Sequence, residues 1–424
     1  VRILVTPSSP TTLHPFNSSS LSHHIALQHY LGMSSEPEQH KAVAPYVAVG
    51  NINDAVLNNL QGLIDLKLPF DGTGFDPSEA FHQESRNLVY DDVHKSWKFR
   101  PSRPKGHMPT FLYVKGMEKH INGVCDAFAP PGGDLRKGKS NRRWKVLRAP
   151  TNKFYLALVN SERGDPANQH QLAIIDIEPN PRSLQSKLDD VLGGLASKAQ
   201  RVFNEQPDRR SLIGAVLADQ TMLFVVFNRA GMLMSHLIDV DNYPVSFIRV
   251  VVGLLVADRT TLGYDNTMFY TRTDDAPIER FVVVSGRKYR ILEKLHSEGV
   301  IRGRGTACLK VQDCEDETRI LVSKDTWVFA NAPILEATIL GELETVDGIS
   351  KLEAVDHLSV ELLDGELMED STVLDVARLN LSTPVIDNRK HIRMLLSPFG
   401  SKLTDFRSLG ELLKVIIDIA GRTS

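Results

Sequence analysis

Cysteine is scarce in this chain. Its 424 residues contain three, Cys125, Cys308 and Cys314, with no CxxC pair. An odd, dispersed set disfavours a disulfide framework and a zinc site, and fits a reducing intracellular compartment, cytoplasm or nucleus. Long apolar runs are also missing: no stretch of eighteen apolar residues occurs, and the N-terminus has neither a basic segment nor a long apolar one. No membrane span or signal peptide is therefore expected, and no membrane partner. A net charge of −3 removes any global attraction to nucleic acid or anionic lipid. What is present is a globular balance, 42% hydrophobic and 24% charged, at a length that suits two or three domains. The chain begins at Val1 and stops inside a helical pattern, which fits an excerpt of a longer product.

Residues 1–150 read as a loop-rich N-terminal region with some helix. The first 35 are rich in Ser, Thr and Pro and carry His23, His24 and His29, with no carboxylate or cysteine at ligand spacing, so a leader is preferred to a metal site. Leu57, Leu60, Leu63 and Ile64 fall near helical spacing behind a cap at Asn53 or Asp54. From Leu68 to Arg148 prolines recur, and the segment reads as irregular. Within it, Arg136 to Arg148 holds seven cations around the single aromatic Trp144. That run suits nucleic acid or nuclear import, but a solvated linker is the favoured reading.

Residues 151–275 read as an α+β domain. Phe154–Val159 and Gln171–Ile177 are strand-like, and Ser183 to Phe203 is an amphipathic helix. Ser211–Leu217 and Thr221–Phe227 form a hairpin turning at residues 218–220, Gly231 to Ile238 completes a meander, and a helix starts at Pro244. Residues 276–424 begin with a strand pair, Phe281–Val284 and Lys288–Leu295, followed by a glycine loop, a strand to Val311, and the strand Ile320–Trp327. A helix is expected after Pro333. Acidic residues between 341 and 384 read as a solvated loop, His391–Leu396 as a strand, and Ser408 to Glu411 as a capping box opening a last helix.

The chemistry concentrates between Gly303 and Glu336. Gly303 and Gly305 lack Cβ atoms, so a hairpin through them can bring backbone N–H groups against phosphate oxygens. Lys324, on the next strand but one, can neutralise phosphate charge as a point cation, and Glu336 can turn inward to hold it. A lone GxG is usually a turn; its place ahead of the lysine and glutamate raises its weight.

In these residues the chain resembles the fungal-type protein kinases. The likeness is carried by Gly303-Arg304-Gly305-Thr306, Val322-Ser323-Lys324-Asp325-Thr326-Trp327, Glu336, and the run from Arg389 through His391 and Arg393 to Pro398-Phe399-Gly400. Phe203 to Arg210 and Leu262-Gly263-Tyr264-Asp265 extend it over roughly residues 196–424. The resemblance implies a kinase-like N-lobe, meaning an antiparallel sheet plus one helix, a hinge and the start of a C-lobe, and it implies ATP with Mg2+. The nucleotide-binding residues it implies are Gly303, Gly305, Thr306, Lys324, Glu336, Pro398 and Phe399, the last two in a hinge whose backbone meets the adenine edge. The match has departures. Cys308 stands at the third glycine position, and Asn228-Arg229-Ala230-Gly231 replaces a turn that commonly reads Asp-Arg-Ser-Gly; a structural turn is expected there. No H-R-D-x-x-x-x-N loop or D-F-G turn occurs, and Asp405-Phe406-Arg407 lies in the wrong place to serve. The expectation is the N-terminal part of a Ser/Thr kinase that grips nucleotide without transferring phosphate, its Mg2+ ligands lying outside this sequence. The alternative is a non-catalytic, pseudokinase-like scaffold. A nucleic-acid binder working through the basic run is a distant third reading.

Overall fold

The computed structural model describes residues 56–60, 68, most of 75–361, 367–369, 389–400 and a few positions in 408–417. The serine-rich leader, its histidines, Pro333 and Asp405 to Arg407 lie outside the described residues, as does most of the helix expected from Ser408.

The fold is mixed α+β, built on two large sheets. The first uses β1 (Val56–Leu60), β4 (Arg142–Arg148), β5 (Phe154–Asn160), β6 (Gln171–Ile177), β7 (Leu212–Ala218), β8 (Thr221–Asn228), β9 (Gly231–Ser235) and β10 (Ile238–Asp239); a small separate hairpin holds β2 (Tyr90–Asp91) and β3 (Ser96–Trp97). The spatial order is β1-β9-β8-β7-β6-β5-β4, with β10 also on β8. Helices α1 (Pro77–Phe81), α2 (Arg86–Val89), α3 (Thr110–Phe128), α4 (Ser183–Ser186), α5 (Leu188–Glu205) and α6 (Pro244–Val256) surround it. Both faces are covered, which is why its strands read as unbroken apolar runs. Along β8, Met222, Phe224 and Val226 join the core under α3 and α6, while Leu223, Val225 and Phe227 join the core under α5. The parallel pair β6–β7 is connected through α4 and α5, as a crossover requires.

The second sheet is antiparallel throughout. It contains β11 (Met268–Thr271), β12 (Glu279–Val284), β13 (Arg287–Ser297), β14 (Ala307–Asp313), β15 (Ile320–Phe329), β16 (Lys351–His357) and β19 (Arg389–Ser397), in the order β11-β12-β13-β14-β15-β19-β16. A hairpin of β17 (Ser359–Glu361) and β18 (Leu367–Glu369) stands apart. Helix α7 (Glu336–Glu342) follows β15 and sets Leu340 against Ile392 and Met394.

The hairpin, meander and Pro244 helix form where the sequence places them, and the helix expected over 183–203 breaks at Lys187 into α4 and α5. Four expectations are corrected. Residues near Leu57 and Leu60 are strand, not helix, because the edge of β9 offers parallel pairing that local periodicity cannot reveal. The irregular segment contains the 19-residue α3, whose buried face runs Tyr113, Val114, Met117, Ile121, Val124 and Cys125. The basic run is not a solvated linker: Arg142–Arg148 is β4, paired to β5, and Trp144 is fully buried. Part of the acidic segment is β16, paired to β19. Among the described residues no helix is long and apolar enough to cross a membrane, and all three cysteines are free.

Candidate functional site

Lys324 lies mid-strand on β15, with Cys308 of β14 on one side and Met394 of β19 on the other. Met394 belongs to the cluster under α7, so the lysine shares the face that meets the helix. Glu336 is the first residue of α7, where the helix N-terminus favours a carboxylate. Lys324 Nζ donates to Glu336 Oε1 at 2.5 Å, with the two side chains 22% and 25% exposed. The structure therefore brings together two residues twelve apart in sequence. A partly buried pair that keeps this access to solvent leaves the ammonium able to take a second anionic partner.

The other face of β15 is buried. Asp325 accepts from Arg393 Nε at 2.8 Å and lies 3.1 Å from His391 Nε2. Arg393 donates its Nη2 to Asp265 Oδ2 at 2.7 Å and its Nη1 to Thr267 Oγ1. Trp327 stacks on His391 with ring centroids 4.6 Å apart and planes 5° apart. Burial alone would raise the Asp265 carboxyl, but the Arg393 guanidinium, with His391 and the Thr267 bond, outweighs it and holds the carboxyl well below the usual carboxylate range. Burial likewise opposes the Arg393 charge, and Asp325 and Asp265 together push its pKa up. Asp265 follows the first sheet, so this network ties the two sheets together.

The glycine loop occupies residues 298–306. Its base closes through Glu298 N donating to Thr306 O at 2.9 Å. Its tip meets the β8–β9 turn: Gly303 N donates to Arg229 O at 3.2 Å. Arg229 Nη1 donates to the carbonyls of Glu298 at 3.1 Å and Val300 at 2.5 Å. Gly305 has φ +49°, and a Cβ there would stand 2.6 Å from Arg229 Nε. On the far side Trp327 N donates to Arg304 O at 2.7 Å. Burial lowers the Arg229 pKa to about 10, with Glu298 opposing the fall. At the other predicted contact, Pro398 is exposed, and Phe399 is half-buried beneath Lys310 Nζ, 4.4 Å from its ring centroid. Among the described residues no group of three or more His, Cys, Asp or Glu side chains is placed to hold a metal.

Sequence reasoning missed Arg229, Asp265, Asp325, His391 and Arg393 as a working set. One signal was available: Arg393 stands between Ile392 and Met394 in a run that continues apolar through Leu396, and a charge inside such a run demands a buried partner.

The family model described as Fungal protein kinase matches residues 156–422. The chain belongs to the fungal protein kinase family. The match starts within β5 and so takes in most of the first sheet, beyond the 196–424 span that the motifs suggested. No curated protein and no solved structure matches the chain.

Proposed function

We propose that the second sheet with α7 is the ATP-holding small lobe of a Ser/Thr-type protein kinase. The observation that carries this reading is the Lys324–Glu336 pair, formed between a mid-sheet strand and the helix that follows it. In this reading Lys324 neutralises α- and β-phosphate charge, and Glu336 fixes the ammonium's position. Residues 303–306 border the phosphates, and the backbone at Pro398 and Phe399 meets the adenine edge. Bound Mg2+ supplies charge neutralisation between the phosphates, and no residue described here is assigned to hold it. What this chain's own residues do is bind and orient; no proton transfer is assigned to them.

The test is a thermal shift of the 424-residue chain with Mg-ATP. Nucleotide at 100 times its Kd adds ~2.7 kcal/mol and raises Tm. Lys324→Met should abolish that shift, and Glu336→Gln should reduce it. A wild-type chain with no shift at millimolar Mg-ATP, or a Lys324→Met chain with the full shift, overturns the reading. One observation favours the second reading, a non-catalytic scaffold: the Gly303 N–H is already bonded to Arg229 O. In that reading the loop is a joint between the sheets, and nucleotide has no effect on Tm.

A further inference from the structure

The glycine loop is anchored in the first sheet as well as in its own. Ile301 is 8% exposed and belongs to the apolar cluster of Phe203, Phe227 and Met232 beneath α5. Gly299 passes so close to α5 that a Cβ would lie 2.3 Å from the Gln200 carbonyl. Arg229 is the centre of the contact. Its guanidinium stacks on Phe203, 4.3 Å from the ring centroid, and donates to the two loop carbonyls. Its own carbonyl accepts the Gly303 N–H, and its Nε faces the bare Cα of Gly305. Of the three glycines in the loop, Gly305 is the one whose missing Cβ makes room for Arg229; a Cβ on Gly303 would meet Val300 instead, 2.9 Å away. A guanidinium with two carbonyls and an aromatic ring as partners holds its neighbours in a fixed geometry that a flexible point cation cannot reproduce.

We propose that Arg229, in the turn between β8 and β9, is a positioning residue for the nucleotide: it holds the 298–306 loop in the shape that receives the phosphates of a nucleoside triphosphate. The ligand in this proposal rests on the small-lobe reading above; the clamp itself does not. Holding the loop in advance removes ordering entropy from binding, so affinity is set in part from a sheet the nucleotide does not touch.

The experiment combines amide hydrogen exchange with Mg-ATP titration on the 424-residue chain. Arg229→Met should speed exchange at 299–305 while β7 and β8 stay protected, and should weaken Mg-ATP binding about tenfold, the change expected from ~1.4 kcal/mol. Arg229→Lys should recover less than half of that loss. A merely structural role would instead lower Tm and speed exchange throughout the first sheet. Should Arg229→Met fail to fold, Arg229→Lys, which keeps the cation and loses the planar fork, carries the test by itself: it should still speed exchange at 299–305 and weaken Mg-ATP binding. Unchanged loop exchange with unchanged affinity in Arg229→Met, or in Arg229→Lys where only that variant folds, overturns the role of Arg229 while leaving the small-lobe reading intact. A wild-type chain that binds no Mg-ATP overturns both, and loop exchange then reports on the clamp alone.

Discussion

At the scale of single residues, the buried charges govern how stability depends on pH. Asp265 gives its proton up more readily in the folded chain than in the unfolded one, because the Arg393 guanidinium overcomes the effect of burial. Its contribution to stability is therefore complete above about pH 4 and fades as the pH falls further, since the unfolded chain then binds more protons. Asp265→Asn should cost about 3 kcal/mol at pH 7. In urea titrations that gap from wild type should narrow below about pH 4. His120 has the opposite chemistry with the same direction. Burial beside Phe247 and Trp97 lowers its pKa to about 3, so between pH 6.5 and 3 the unfolded chain takes up a proton that the folded chain refuses. Replacing it by Phe should flatten the pH dependence of Tm across that window, and an unchanged slope would count against the assignment.

At the scale of elements, the basic run shows how a charge cluster can be structural. The last carbonyls of α6 lack helical partners, and cations near a helix C-terminus are favoured. Arg142 Nη1 donates to Leu255 O at 3.0 Å and Ala257 O at 2.6 Å, and Lys139 Nζ donates to Val256 O. Arg136 and Arg143 converge on Asp126 of α3. Arg142→Met should destabilise the chain by about 2 kcal/mol through the lost charge-assisted bonds. The same substitution should leave any weak, salt-sensitive DNA binding unchanged, measured by fluorescence anisotropy over a salt series. The turn after α6 is equally constrained. Gly263 has φ +83°, and a Cβ there would lie 2.3 Å from Ser211 O. These partners are far apart in sequence, so composition alone made the basic run look solvated. The strands of the meander were legible because both faces are buried; β1 and β16 were not, because only a neighbouring strand's edge makes them strands.

At the scale of the whole molecule, the two sheets meet through Arg229 on one side and Arg393 on the other. Arg393 joins Asp265, which follows the first sheet, to Asp325 of the second. Removing it leaves two buried carboxylates without their cation, a loss of about 3 to 5 kcal/mol. The wild-type chain should lose amide protection in β8 and β14 at the same urea concentration. In Arg393→Met, β14 should lose protection first; simultaneous loss would show that the sheets are coupled elsewhere.

The sequence by itself determined the order of the main elements from Phe154 to the helix at Pro244, and the family, because apolar period and motif spacing are local properties that survive without a fold. It also determined which lysine and glutamate were candidates to meet. Tertiary structure alone decided that they do meet, since a contact between β15 and α7 depends on strand register and helix placement. It decided, too, that Gly305 is pressed against Arg229, that the Gly303 N–H donates to the Arg229 carbonyl, and that Asp265 faces Arg393. Those contacts join residues more than seventy positions apart, and a buried charge specifies only that it needs a partner, while packing selects which one.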